Sequence, residues 1–358
     1  MGKKIISKKN YYENKEKYMN HKINVGTKEI GGEKTFVIAE IGSNHNQSLE
    51  KAKEMMLAAR ECGADAVKFQ SIKPDKLYHM DKLSNDEKKL MKQIELKEEW
   101  YRELFSLAEK AGIICTSAPT YLEAVDLLVQ YGVPILKIAS PQVYGFPQLI
   151  QRADKANVPM ILSTGYCGYK EIERAVNCCS NKSKLVLLHC TANYPTAPND
   201  VNLNFMTTLQ NMFGTIVGYS DHTLGYHIPI AAVAKGAKVI EKHFTLSRSE
   251  EGPDHFFAIE PGEFKEMVSA IRETEEALGD SGKPQLTEFE RDFRKKIEMR
   301  LFASRSIMTG EEIHSDDLVF LRGSEEAVSA WDVNLVLGKK AGQYIEKGEP
   351  IYGKYLID

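Results

Sequence analysis

The sequence predicts an α/β protein, a (β/α)8 TIM barrel followed by a small β-rich domain. Three observations carry this. Short, apolar, β-branched runs alternate with segments of helical periodicity through most of the chain. Eight such pairs fit in about 245 residues, the count and length of a barrel of this class. From about residue 281 the composition changes to a charged stretch and then to short strand-like runs and turns. Continuous apolar strands separated by helices form a parallel sheet covered on both faces. A doubly wound open sheet is the competing architecture. It is weakened because no GxGxxG follows the first run.

Residues 1–34 read as an N-terminal arm and hairpin. The arm is Lys-rich and expected to be solvated. The turn glycines in 20–34 suggest a hairpin plugging the bottom of the barrel. Residues 35–280 are assigned to the catalytic barrel. Its eight strand-like runs lie at 35–42, 64–72, 112–119, 134–140, 159–165, 185–195, 216–223 and 238–246. After the first, Leu49, Ala52, Met56 and Ala59 recur at helical spacing and Gly63 stops the helix. After the eighth, PGEFKEMVSAIRETEEALGD begins with Pro and ends near Gly, the usual polarity of a helix. Met55, Met56, Trp100 and Tyr101 are read as core faces. Residues 281–298 form a linker, and 299–358 the β-rich domain. There Ile307, Gly310, Glu311, Ile313 and Leu318 recur 38 residues later as Ile345, Gly348, Glu349, Ile351 and Leu356. One shared offset suggests two related β-loops folding back on each other.

The formal net charge of −3 argues against a general nucleic-acid binder. No apolar run approaches the length of a membrane span, and the first residues lack a signal-peptide core, so a cytoplasmic protein is expected. The six cysteines form no CxxC and no regular frame. They are read as free thiols in a reducing compartment.

Chemistry should sit at the C-terminal ends of the strands. Residues two apart on a strand share a face. In the seventh run Gly218, Ser220 and His222 share one, and in the eighth Glu241 and His243 do. Facing inward, His222 and His243 would meet at the barrel mouth, a pair suited to a first-row divalent metal with open positions. Asp221, Glu241 and Asp254 are taken as acids flanking it. Lys68 and Gln70 share a face inside the second run, and Lys137 repeats the oddity in the fourth, followed by Ser140. A lysine inside a parallel strand is unfavourable unless it meets an anion. Ser163, Thr164 and Gly165 end the fifth run with small residues that let backbone N–H groups approach a phosphate. Glu40 ends the first run, positioned to orient a water, bind a sugar hydroxyl or contact a metal. His45 is read equally as loop surface or function. Tyr194 is a candidate for stacking on substrate.

Together, AEIGSNHN, KFQS, KIAS, LSTG, HCTANYP, GYSDHTLG, EKHFTL and GPDH resemble the sialic acid synthase (N-acetylneuraminate synthase) family from about residue 35 to 260. IMTGEEI, LRG and LGKKAGQYIEKGEPI resemble the antifreeze-like (SAF) domain that ends those proteins. The resemblance implies condensation of phosphoenolpyruvate with an N-acylated hexosamine aldehyde, by default N-acetylmannosamine. The products would be a nine-carbon 2-keto-3-deoxy acid and phosphate. It implies a divalent metal, Mn2+ before Mg2+ or Co2+, on His222 and His243. Lys68, Lys137, Ser140, Ser163, Thr164 and Ser220 would hold phosphoenolpyruvate. Gln70, Tyr194 and Asp254 would face the sugar, and Glu40 and Glu241 would position water or move protons. It also implies a homodimer with swapped C-terminal domains, in which Arg322 reaches the partner's sugar. Gln142 stands where the family usually has an acid, Ala118 where a threonine is common, and Ala192 where a polar residue is common. The sugar's identity is therefore open to a legionaminic, pseudaminic or spore-coat acceptor. Two further readings compete with the synthase: a non-catalytic family member that binds a sugar or phosphate, and a barrel lyase or isomerase using the same metal pair.

Overall fold

The computed structural model describes residues 21–279, 282 and 285–358. Residues 1–20, most of the expected solvated arm, lie outside the described residues. The chain divides into two units, Met1–Gly279 and Asp280–Asp358.

In the first unit a hairpin, β1 (Ile23–Val25) and β2 (Lys28–Ile30), precedes eight parallel strands. These are β3 (Phe36–Gly42), β4 (Ala66–Ser71), β5 (Ile114–Pro119), β6 (Leu136–Ile138), β7 (Met160–Ser163), β8 (Leu185–Cys190), β9 (Ile216–Asp221) and β10 (Val239–His243). Their order is β5-β4-β3-β10-β9-β8-β7-β6, so the last strand pairs with the first and the sheet curls into a nearly closed barrel. The ladder is interrupted between β5 and β6, where the Thr116 hydroxyl donates to Ile135 O at 2.6 Å. The helices end as the sequence expects. Ser48 Oγ accepts from Lys51 N to cap helix Leu49–Glu61, and Gly63, at φ +93°, follows its end.

Alternation divides the apolar residues into two cores. One lies between sheet and helices and holds Met55, Met56, Trp100 and Tyr101. The other fills the lower barrel with Ile38, Ala66, Ile114, Ile135, Ile161, Val186, Leu188, Ile216 and Val239. Ile23, Val25 and Ile30 of the hairpin join this inner core, so the hairpin is the expected plug. Each such aliphatic side chain contributes about 1.5–3 kcal/mol by leaving water. Gly218 is dictated by this packing: a Cβ there would lie 2.3 Å from Val239 O and 2.7 Å from Leu188 Cδ2. All six cysteines are free thiols.

The second unit contains helix Glu288–Ile297, in the predicted linker, and four short strands. They are β11 (Arg300–Ala303), β12 (Leu318–Leu321), β13 (Lys340–Ala341) and β14 (Leu356–Ile357). The 38-residue repeat is structural. Ile307 and Ile345 bridge antiparallel, each N–H donating to the other's carbonyl at 2.9 and 3.0 Å. Glu311 accepts from Met308 N, as Glu349 accepts from Glu346 N, at 2.8 and 3.0 Å. Gly310 and Gly348 turn at φ +80° and +82°. Ile307, Ile313, Ile345 and Ile351 are buried together in one small core.

Candidate active site

The apolar core stops one alternation below the mouth of the barrel. Two residues further along each strand, on the same face, polar groups take over. Glu40 follows Ile38, Lys68 follows Ala66, and Lys137 follows Ile135. Ser163 follows Ile161, Cys190 follows Leu188, Ser220 follows Gly218, and Glu241 follows Val239. All seven line one cleft, with Gln70, Ser140, Tyr194, His222 and His243.

Its floor is ionic. Lys68 Nζ lies 2.8 Å from Glu40 Oε2 and 3.5 Å from Glu241 Oε1. Lys137 Nζ lies 3.2 Å from the same Glu241 oxygen, which also accepts from Ser220 Oγ at 3.0 Å. Gln70 Nε2 donates to Glu40 Oε1 at 3.0 Å. Both lysines are 2% exposed, so they are not snorkelling at the strand ends. Their environments differ. Burial works against the Lys68 ammonium, but Glu241 and Glu40 outweigh it and its pKa is raised. For Lys137 burial wins, and its pKa falls. The carboxylates separate in the opposite sense. Burial pushes Glu40 up to about 7 despite Lys68. Burial also opposes ionisation of Glu241, but Lys137 and Lys68 together hold it down at about 2. Two carboxyl groups pushed apart in this way suit different roles.

Above this floor the two imidazoles meet as expected, with ring centroids 5.3 Å apart. His222 Nδ1 donates to Thr191 O at 2.8 Å, which leaves Nε2 as its free nitrogen. His243 Nδ1 is buried with no hydrogen-bond partner, 3.8 Å from Asp254 Oδ2. Burial lowers the pKa of both rings, that of His243 well below the ordinary value, so both are neutral at neutral pH. Burial pushes Asp254 up to about 6, against Lys68. Gly42, at φ +54°, leaves room here, since a Cβ would sit 3.2 Å from Glu40 Oε1 and 3.3 Å from Asp254 Oδ2. Tyr194 is half exposed, its ring 4.3 Å from His222 and 5.2 Å from Phe257. Ser140 Oγ accepts from Gly165 N at 3.1 Å and lies 3.6 Å from Cys190 Sγ. A Cβ at Gly165 would meet Ser140 Oγ at 2.7 Å, so that turn requires glycine. Ser163 Oγ is buried without a partner at the cleft.

Some expectations change. Asp221 does not flank the histidines. It is turned to the opposite face, where its carboxylate accepts from Lys242 Nζ at 2.5 Å and from Thr223 N and Oγ1 at 3.0 Å each. Strand alternation explains this, because 221 is out of phase with 220 and 222. Thr164 is out of phase with Ser163 in the same way. Its hydroxyl donates to Leu188 O at 3.1 Å and it does not line the cleft. His45 is neither surface nor cleft. It is fully buried, 5.5 Å from the Trp100 ring, and burial lowers its pKa to about 4. Cys190, expected only as a buried thiol, is a cleft residue. Its phase with Leu188 is the signal that finds it. Ala118, Pro141 and Gln142 line the same cleft. Ala192 does not; it lies outside, with Tyr166 and Asn193. Arg322 is exposed and belongs to the second unit. Among the described residues no group of three His, Cys, Asp or Glu side chains is assembled to hold a metal.

A model of the NeuB family matches residues 55–283, and a SAF domain model matches 299–356. The chain is 41% identical over 342 residues to an uncharacterized protein of Methanocaldococcus jannaschii, covering 94% of this chain and 99% of that one. It is 38% identical over 355 residues to the N,N'-diacetyllegionaminic acid synthase of Legionella pneumophila, again covering 94% and 99%. Among solved structures, the N-acetylneuraminic acid synthetase of Leptospira borgpetersenii superposes with a TM-score of 0.71 at 34% identity, covering 78% of this chain and 98% of that one.

Proposed function

The chain belongs to the NeuB family, and from that premise we propose that it condenses phosphoenolpyruvate with an N-acylated hexosamine in its open aldehyde form, giving a nine-carbon 2-keto-3-deoxy acid and phosphate. The observation that carries this reading is the buried lysine pair. Lys68 and Lys137 share one buried ionic layer with Glu40 and Glu241, in the cleft that also holds two neutral imidazoles.

Lys68 and Lys137 hold the phosphate and carboxylate of phosphoenolpyruvate, helped by the hydroxyls of Ser140, Ser163 and Ser220. Thr164 has no donor left for the phosphate, because its hydroxyl and its backbone N–H both donate to Leu188 O, at 3.1 and 3.0 Å. Glu241 stays ionised and fixes both ammonium groups and Ser220. C3 of phosphoenolpyruvate attacks the aldehyde carbon, and water adds to the cationic C2. Glu40 takes the proton from that water, since its pKa near 7 lets it both accept and return a proton. The tetrahedral adduct then expels phosphate. Gln70 holds Glu40 and faces the sugar with Tyr194. Asp254 reaches the sugar or steadies His243, next to which it lies.

The free His222 Nε2 and the unpartnered His243 Nδ1 would hold a divalent ion, Mn2+ first. Such an ion would supply Lewis acidity to the aldehyde oxygen. The assembly proposed is a homodimer with swapped C-terminal domains, Arg322 meeting the partner's sugar, in the cytoplasm. No helix among the described residues is long and apolar enough to cross a membrane. N-acetylmannosamine is the default acceptor. The Legionella relative, by its name, makes N,N'-diacetyllegionaminic acid, and that likeness supports the corresponding diacylated acceptor as the second reading.

The test is phosphate release from phosphoenolpyruvate with Mn2+ across a panel of N-acyl hexosamines, with each product identified by mass. Release that depends on one sugar supports the condensation and names the acceptor. Release from folded, metal-loaded protein with none of them rejects it.

A further inference from the structure

We infer that a buried ion pair on the outer face of the sheet, Asp221 with Lys242, positions His222 and His243 across the barrel mouth, and so sets how tightly the two rings hold a divalent ion. This rests on the metal reading proposed above.

Each histidine directly follows one member of the pair, His222 after Asp221 and His243 after Lys242. The ladders show why the strand ends need a tie. β9 pairs with β8 up to Ser220 and with β10 up to Asp221, which faces Lys242 in the last rung. His222 lies one residue beyond both. His243 still has a ladder partner, Glu40 on β3. Among the described residues, no ladder pair therefore fixes His222 against His243.

The ion pair does. Lys242 Nζ lies 2.5 Å from Asp221 Oδ2 and also donates to Thr223 O. The Asp221 carboxylate in turn accepts from Thr223 N and Oγ1 at 3.0 Å each. The residues on both sides of His222 are thus tied to the residue before His243. Two contacts complete the hold on His222: its carbonyl accepts from Thr196 N and its Nδ1 donates to Thr191 O, at 2.8 Å each. Both members of the pair are 1% exposed. Charges buried this deep add little net stability, because a well-packed neutral pair often does as well. What they add is one geometry, since Asp221 and Lys242 answer each other only with the strand ends in this register. His243 Nδ1 has no hydrogen-bond partner of its own, so the backbone must set the place of that ring. Groups that orient metal ligands govern affinity by about 10- to 100-fold.

The experiment compares the full wild-type chain with Asp221→Asn/Lys242→Met, which removes both charges, nearly keeps their volume and strands neither. Mn2+ affinity is read from the electron paramagnetic resonance of the free ion. Phosphoenolpyruvate affinity is read by calorimetry on the metal-free chain. The double variant should unfold cooperatively and bind Mn2+ about tenfold or more weakly. It should bind phosphoenolpyruvate as the wild type does, because Lys68 and Lys137 are untouched. Thr223→Val leaves both ions paired and removes one donor to Asp221; it should weaken Mn2+ binding by about threefold. It is the deciding variant if the double one does not fold. Unchanged Mn2+ affinity in the folded double variant, or in Thr223→Val where the double one fails, overturns this inference and leaves the metal reading standing. Equal losses of Mn2+ and phosphoenolpyruvate affinity also overturn it, being the mark of a merely looser barrel. A wild-type chain that takes up no Mn2+ overturns the metal reading, and this inference with it.

Discussion

The lower and upper halves of the barrel interior are made by the same strands, one alternation apart, yet they obey opposite rules. Below, Ile38, Ala66, Ile135, Ile161 and Val239 share one core with Ile23, Val25 and Ile30 of the hairpin. Above, Glu40, Lys68, Lys137, Ser163 and Glu241 replace them on the same face. The lower layer is stable because it excludes water. The upper layer tolerates burial only because each charge is answered by another. Its lysines and glutamates balance two against two, so deleting one leaves an uncompensated ion, whereas trimming an isoleucine leaves only a small void.

The largest effect should come from the histidine pair. His222→Ala and His243→Ala should each abolish turnover while thermal unfolding stays cooperative. Near-normal phosphate release from either variant would sink the metal assignment. Next is Glu241→Ala, which leaves Lys137 without a carboxylate partner and Lys68 with Glu40 alone. It should lower stability by about 3–5 kcal/mol in urea titrations. If it unfolds no more readily than the wild type, the floor is not an ion-balanced layer.

The pH dependence separates the two glutamates. Glu241, held at about 2, contributes stability that is present above the ordinary carboxyl pKa of 4.5 and fades as pH falls from there toward 2. Glu40, raised to about 7, takes up a proton on folding. Its contribution therefore weakens as pH rises from 4.5 to 7. Urea midpoints measured against pH should lose the acid-side slope in Glu241→Gln and the near-neutral slope in Glu40→Gln. Unchanged slopes in both variants would contradict the separation.

In the lower layer, Ile161→Val should cost about 1 kcal/mol and leave the KM of both substrates unchanged. A shift in either KM would mean that the two halves are coupled. The smallest effect tests the second unit. Arg322→Ala should raise the acceptor KM by about threefold to tenfold, more than that of phosphoenolpyruvate. An equal effect on both would count against its place at the sugar.

Much of this is legible in the chain itself. Strand alternation locates the barrel, puts His222 in phase with Ser220 and His243 in phase with Glu241, and marks Lys68 and Lys137 as anomalous. The 38-residue repeat anticipates the Ile307–Ile345 pairing. Alternation, applied strictly, also places Asp221 and Thr164 on the outer face and Cys190 on the inner one. Weighing residue chemistry above phase is what misplaces those three. His45 is different: its burial against Trp100 joins segments 55 residues apart, which no local pattern reports.

A local period of two therefore determines which side chains enter the barrel, because it is set by the backbone of each strand alone. Which of them meet is decided by closure of the sheet. Lys137 on β6 reaches Glu241 on β10 across the mouth, although three strands separate them in the ladder. The charge that answers a buried lysine, and so the pKa of each glutamate, exists only once the barrel has brought distant strands within a few ångströms and removed the water between them.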